Sequence, residues 1–221
     1  APVVGEGTAE SVLIAFGLAS LLVAVPFLWR PLAWKRLLAY SSLEHMGVIA
    51  LGIGFASPLA LAGVVVHVLG HAIAKSLGFY AATPLLVARP RASGHPVGGL
   101  ARDEPVLGTT MGISLAALAG LPPSPLFVSE VLIVAGGFQA GHDWIAALAA
   151  VLLALGFLGL AHALIEMTVG RPRGTGGPHS PRHPGLAALA AISLALLLGL
   201  VAVAPWLPAS ELVDTLARGL A

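Results

Sequence analysis

The stretch 59–87, LALAGVVVHVLGHAIAKSLGFYAATPLLV, decides how the rest of this chain is read. It holds no acid, and its only basic side chains are His67, His71 and Lys75, placed four residues apart. That spacing stacks the three on one face of a helix, over about 12 Å at ~1.5 Å rise per residue. A run of this length crosses a bilayer, and charge at membrane depth is expensive. The line therefore reads as part of a path for protons or ions.

Composition agrees. The chain has 221 residues, 57% hydrophobic and only 10% charged, with a mean hydropathy of +0.95. Soluble domains carry about 25% charged residues, so this is an integral membrane protein. There is no cysteine, which excludes disulfides, thiolate-held iron–sulfur clusters and Cys-based zinc sites. A formal net charge of +1 gives no case for nucleic-acid binding. The chain opens on Ala1, and Glu6 and Glu10 stand where a signal peptide would need basic residues. The first span is thus no targeting segment. The chain reads as processed or as a piece of something longer, the second reading being favoured.

Six spans can be drawn, over 8–29, 38–56, 58–87, 107–138, 142–169 and 184–206. Arg30, Lys35 and Arg36 follow the first span, Arg89, Arg91 and Arg102 the third, and Arg171, Arg173 and Arg182 the fifth. The alternate loops hold no Lys or Arg, leaving Lys75 and Arg218 as the other basic residues. The positive-inside rule makes the basic side cytoplasmic and predicts an outer C-terminus. Residues 1–170 are expected to form one five-helix unit and 171–183 a cytoplasmic loop. Residues 184–221 then supply a last helix and an outer tail. The loop is Pro/Gly-rich, and its His179 and His183 are expected to be solvated, with no further ligand type nearby. Trp34, Trp144 and Trp206 fall at span ends and are expected to anchor them at the interface.

The fourth span is interrupted. Pro122, Pro123 and Pro125 in the run Gly120-Leu121-Pro122-Pro123-Ser124-Pro125 remove backbone donors and cannot continue a helix. Irregular backbone at this depth is tolerated only when buried in protein or lining a watery cavity. Glu130 follows the break by one helical turn and more, which places an acid near mid-bilayer. Broken helices with a nearby carboxylate are a feature of ion-translocating transporters.

These residues resemble a known family. Lys35-Arg36-Leu37-Leu38-Ala39-Tyr40-Ser41-Ser42-Leu43-Glu44-His45-Met46-Gly47 is similar to a signature of the antiporter-like proton-pumping membrane subunits. These subunits occur in respiratory complex I, membrane-bound hydrogenases and multisubunit sodium/proton antiporters. His67, His71 and Lys75 match the family's histidine–lysine helix, and Gly120-Leu121-Pro122-Pro123 through Phe127-Val128-Ser129-Glu130 its broken helix. The form Glu44-His45-Met46-Gly47 most resembles the hydrogenase-4 component F branch. The match covers residues 5–170, and the last span matches by position only.

The resemblance implies an all-α membrane subunit of fourteen helices, built from two inverted five-helix repeats joined by a central row of Lys, His and Glu. This chain corresponds to the second repeat and the last helix, about six transmembrane helices in all. The first repeat, with its own broken helix, is absent from it.

Each site residue has two readings. Lys75 is either a buried ammonium that exchanges protons or a lysine snorkelling to the interface. It lies about 18 Å of helix from the span's end at ~1.5 Å per residue, too far to snorkel. His67 and His71 serve a relay or pack as core histidines. A zinc pair is disfavoured because no third ligand is near in sequence. Glu130 belongs to the relay or pairs with donors freed by the break, and the family also accepts Lys there. Glu44 and His45 line a cytoplasmic proton entrance or cap the start of their helix. His162 and Glu166 form a second pair near the cytoplasmic end of the fifth span, as a surface pair or a further proton entrance.

The function so implied is proton translocation within a redox-driven complex of hydrogenase-4 or NADH dehydrogenase type, in a bacterial or archaeal cytoplasmic membrane. Its partners would be the other membrane subunits and the lipid, and its cargo protons or sodium. The chain itself shows no Cys cluster and no nucleotide loop, so no metal, cofactor or redox centre is expected in it. The alternatives are a multisubunit sodium/proton antiporter without redox coupling, and a structural module with vestigial polar residues.

Overall fold

The computed structural model describes residues 6–171 and 184–204. In chain order it runs α1 (Glu6–Leu28), α2 (Trp34–Gly54), α3 (Pro58–Ala88), a 3-10 turn (Pro90–Ser93), α4 (Leu100–Asp103), α5 (Pro105–Leu118), α6 (Pro125–Gln139), α7 (Asp143–Val169) and α8 (Pro184–Val203). Among the described residues there is no strand, so the fold is all-α. Helices α1, α2, α3, α7 and α8 are each long and apolar enough to cross a bilayer. Each of α5 and α6 is only about 21–23 Å long at ~1.5 Å per residue, short of a hydrocarbon core of ~30 Å. Together they take the place of the interrupted fourth span. Helix α2 begins at Trp34, earlier than the 38 expected, because its exposed Lys35 and Arg36 form a wet first turn on an otherwise embedded helix. Residues 1–5, most of the 171–183 loop and the tail from 205 lie outside the described residues, as do His179, His183 and Trp206.

The break is stitched by its own sequence. Helix α5 closes with Gly120 in the left-handed region at φ +69°. Gly120 N–H reaches the Ala117 carbonyl at 3.0 Å and Leu121 N–H the Ala116 carbonyl at 3.0 Å, the paired bonds of a Schellman stop. Ser124 then opens α6. Its Oγ accepts from the N–H groups of Leu126 at 3.1 Å and Phe127 at 3.3 Å, and donates to the Ala117 carbonyl at 3.2 Å. One hydroxyl thus satisfies orphan groups of both half-helices.

Helix α3 is central, packing on α2, α5, α6 and α8. Its start is tied down by Ser57, which caps Ala60 N–H at 3.2 Å and donates to the Gly136 carbonyl in α6 at 2.9 Å. Close approach of α3 and α6 depends on Gly63, where a Cβ would stand 2.9 Å from the Ser129 carbonyl oxygen and 2.8 Å from Ile133 Cγ1. Small residues let membrane helices approach in this way. The apolar interior falls into two clusters, one around Leu38, Ala74, Leu118 and Leu126, the other around Val48, Ala60 and Ile133. On α2, α3 and α6 alike, the residues between the two clusters are the polar ones. Outward faces carry Phe16, Phe79, Val151 and Leu196, as lipid contact requires.

Gly63→Val is expected to wedge α3 from α6 and cost about 1–3 kcal/mol, read as a lower thermal midpoint in detergent by tryptophan fluorescence. Gly7→Ala, where a new Cβ meets nothing within 4 Å, should not lower that midpoint.

Candidate functional site

Helices α2 and α3 run antiparallel, so their polar positions face one another as rungs. Gly52 lies against Val64, His45 against His67 and His71, and Ser41 against Lys75. His45 and His67 are essentially fully buried, at 1% and 0% exposure, and Glu44 and Lys75 at 3% and 6%. The expected line His67–His71–Lys75 is present on one face of α3, but its members make no hydrogen bonds to each other. The rings of His67 and His71 lie nearly parallel with centroids 6.4 Å apart, as one helical turn dictates. The bonds of His67 and Lys75 run sideways to other helices.

His67 is the hub. Its Nε2 meets His45 Nδ1 on α2 at 3.1 Å, and its Nδ1 meets Ser129 Oγ on α6 at 2.8 Å. Ser129 Oγ donates to the Leu126 carbonyl at 2.7 Å. A carbonyl only accepts, so satisfying every contact gives the line one polarity. Ser129 oxygen accepts from His67 Nδ1–H, and His67 Nε2 accepts from His45 Nδ1–H. Neutral His45 is then left with a bare Nε2. That atom is buried without a hydrogen-bond partner. A proton placed on Nε2 would turn it from an acceptor into a donor. His71 sits edge-on to His45, centroids 4.7 Å apart, with its own Nδ1 unpartnered.

Lys75 is held by neutral groups. Its Nζ donates to the Leu38 carbonyl and, at 2.6 Å, to Ser41 Oγ. The ammonium is therefore buried, and the snorkelling alternative does not describe it. Glu44, one turn along α2 from Ser41, makes no salt bridge to Lys75, and its Oε2 has no partner. Its other oxygen rests on Gly156 of α7, where a Cβ would collide with it. Glu44 and His45 lie deep in the helix packing, so neither caps the start of α2. Glu130 folds back on the break, Oε2 lying 3.0 Å from where a Gly120 Cβ would be. It lines a groove of about 600 Å³ between α6 and α7, with Pro122, Phe127 and Phe157.

The remaining positions lie apart. His162 and Glu166 border a separate cavity of about 220 Å³ near Arg30 and Met167, which shares no lining residue with the histidine site. Trp34 is buried and donates to the Gly78 carbonyl at 3.0 Å, so it locks α2 to α3 and does not serve as an interfacial anchor. Trp144 is exposed at 87%, as an anchor would be. Ser41 and Ser129 are site residues that the sequence does not mark as such. Their only signal is a hydroxyl one turn or less from a charged residue within an embedded helix.

Residues 3–157 match the family described as NADH:quinone oxidoreductase/Mrp antiporter, TM. The chain belongs to this family. Within it, the chain is 36% identical over 171 residues to a hydrogenase-4 component F homolog of Methylacidiphilum infernorum, covering 77% of this chain and 36% of that protein. It is 31% identical over 163 residues to one subunit of the Na(+)/H(+) antiporter of Bacillus subtilis, covering 74% of this chain and 33% of the relative. A chain of Thermus thermophilus respiratory complex I superposes with a TM-score of 0.77 at 25% identity, over 98% of this chain and 46% of the other. The chain thus spans about a third of these curated relatives and under half of that solved structure. As a member of the family it is a multi-pass, membrane-embedded, antiporter-like subunit.

Ser129→Ala removes the acceptor of His67 Nδ1–H and is expected to destabilise the protein by about 1–3 kcal/mol, measured by thermal unfolding in detergent. Ser129→Thr, which keeps the hydroxyl, should recover most of the loss.

Proposed function

We propose that this chain is the second-repeat portion of a proton-translocating membrane subunit, in a redox-driven complex of the hydrogenase-4 type. The observation that carries the reading is the buried, polarised line Ser129–His67–His45, flanked by Lys75 and Glu130. Hydrogen-bonded titratable rings in an apolar slab suit proton transfer, since each ring can accept on one nitrogen and release from the other. A proton arriving at His45 Nε2 frees its Nδ1 proton for His67. Lys75 and Glu44 respond through their charges, because Coulomb interaction is weakly screened in a dry interior. The carboxylate of Glu130, at the broken helix, is the acid beside the two histidines of the line.

In this reading residues 1–170 form the repeat, 171–183 the cytoplasmic loop, and 184–221 the last helix with its outer tail. The basic loops put Lys75 on the cytoplasmic side of both histidines. Glu44, His45, His162 and Glu166 are the candidates for proton uptake, with the cavity beside His162 as a separate vestibule. Redox chemistry would reside in other subunits, and no cofactor is assigned to this chain. The similarity to the hydrogenase-4 component F homolog and the Glu44-His45-Met46-Gly47 form favour this branch. The similarity to the Bacillus subtilis antiporter protein supports the alternative, sodium/proton exchange without redox coupling.

In the full-length subunit within its complex, Lys75→Ala and Glu130→Gln should each abolish proton pumping into inverted vesicles while assembly on native gels persists. Normal pumping by both variants would remove the proposal. His45→Phe should slow pumping by about 100-fold or more. Proton flux that requires sodium and no electron donor would place the chain with the antiporters instead.

A further inference from the structure

We propose that His45, His67 and Glu130 form a binding site for a divalent transition-metal ion, zinc foremost, which closes the proton line when occupied. The three residues come from α2, α3 and α6, and each offers a ligand atom, all lying within 4.8 Å of one another. His45 Nδ1 and His67 Nε2 are 3.1 Å apart. Two nitrogens at that separation, each ~2.0–2.1 Å from one ion, subtend about 100° there, close to a tetrahedral edge. Two imidazoles and a carboxylate are a zinc donor set with a fourth position open, and they do not suit calcium or magnesium.

The surroundings complete the site. An ion between the two rings takes the place of the proton they share. His67 keeps its Nδ1–H on Ser129 Oγ at 2.8 Å. His45 must then carry its proton on Nε2, the buried atom without a partner. His67 keeps the outer-shell acceptor that metal-bound histidines need. Glu130 has room to swing, since its carboxylate rests against Gly120, which lacks a side chain, and it borders the open groove beside the break. The pair His67 and His71 is not the site, because their near-parallel rings, at 11° and 6.4 Å, do not converge.

Binding does not depend on the proton-relay reading; the closure of the line does. The test uses the full-length subunit in its purified complex, titrated with Co²⁺ as a visible probe and then with Zn²⁺. One Co²⁺ per chain should give the intense bands of a four- or five-coordinate ion, and Zn²⁺ should abolish them. His45→Gln and Glu130→Gln should each weaken binding at least about tenfold, while His71→Gln leaves it unchanged. Weak six-coordinate bands, or equal binding by His45→Gln and the parent, would overturn the site. In vesicles, Zn²⁺ should stop proton flux by the parent protein over the same concentration range in which it displaces Co²⁺. Undiminished flux with the metal bound would overturn the closure. Absent flux without any metal would instead overturn the relay and leave the site standing.

Discussion

A single contact, the 3.1 Å bond between His45 and His67, organises the polar centre where α2, α3 and α6 meet. In a slab where water cannot satisfy stray donors and acceptors, two imidazoles must be solvated by protein or not be there at all. Their meeting requires α2 and α3 to lie antiparallel in one register. It also requires α6 close enough for Ser129 to take the other nitrogen of His67, and that closeness depends on Gly63. Moving any of the three helices by one turn would leave a buried ring nitrogen without a partner. The helix packing and the polar line are therefore one constraint seen from two sides.

The break between α5 and α6 is the second half of that constraint. An unbroken helix through 105–139 would bury its carbonyls and donors in its own ladder and offer none to the site. By stopping α5 at Gly120 and restarting at Ser124, the chain sets Glu130 beside Gly120. Ser124 offsets much of the exposed backbone by bonding across the gap. Among the described residues of the embedded helices, the buried side-chain atoms left unsatisfied are His45 Nε2, His71 Nδ1 and Glu44 Oε2. Unsatisfied buried atoms are costly in a structural core, and here two of the three belong to rings packed beside His67. Excess protons and metal ions are the two kinds of cation that such a gathering of lone pairs can hold.

Much of this was legible in one dimension. Hydropathy marked the spans because a bilayer imposes length and apolarity locally, residue by residue. The prolines marked the break because they act on the backbone of their own turn. Lys75, His67, His71 and Glu130 stood out because ionisable groups are rare at that depth. The pairing was not legible. His45 lies 22 residues from His67, and nothing local distinguishes a histidine lining an entrance from one that bonds the central ring. Ser129 and Ser41 are ordinary helix residues until another helix brings its imidazole or ammonium alongside. Trp34 sat where interfacial tryptophans sit, but the close crossing of α2 on α3 gave its indole a carbonyl and buried it.

The sequence by itself determined that this is a membrane protein, where its helices run, where one of them is interrupted, and which few ionisable groups are embedded. Each of these follows from local physics: the cost of charge and bare backbone in hydrocarbon. Tertiary structure alone decided who touches whom. It turned a line along α3 into rungs across α2, α3 and α6, because the rings of His67 and His71 lie nearly parallel, 6.4 Å apart, while those of His67 and His45 on facing helices meet at 3.1 Å.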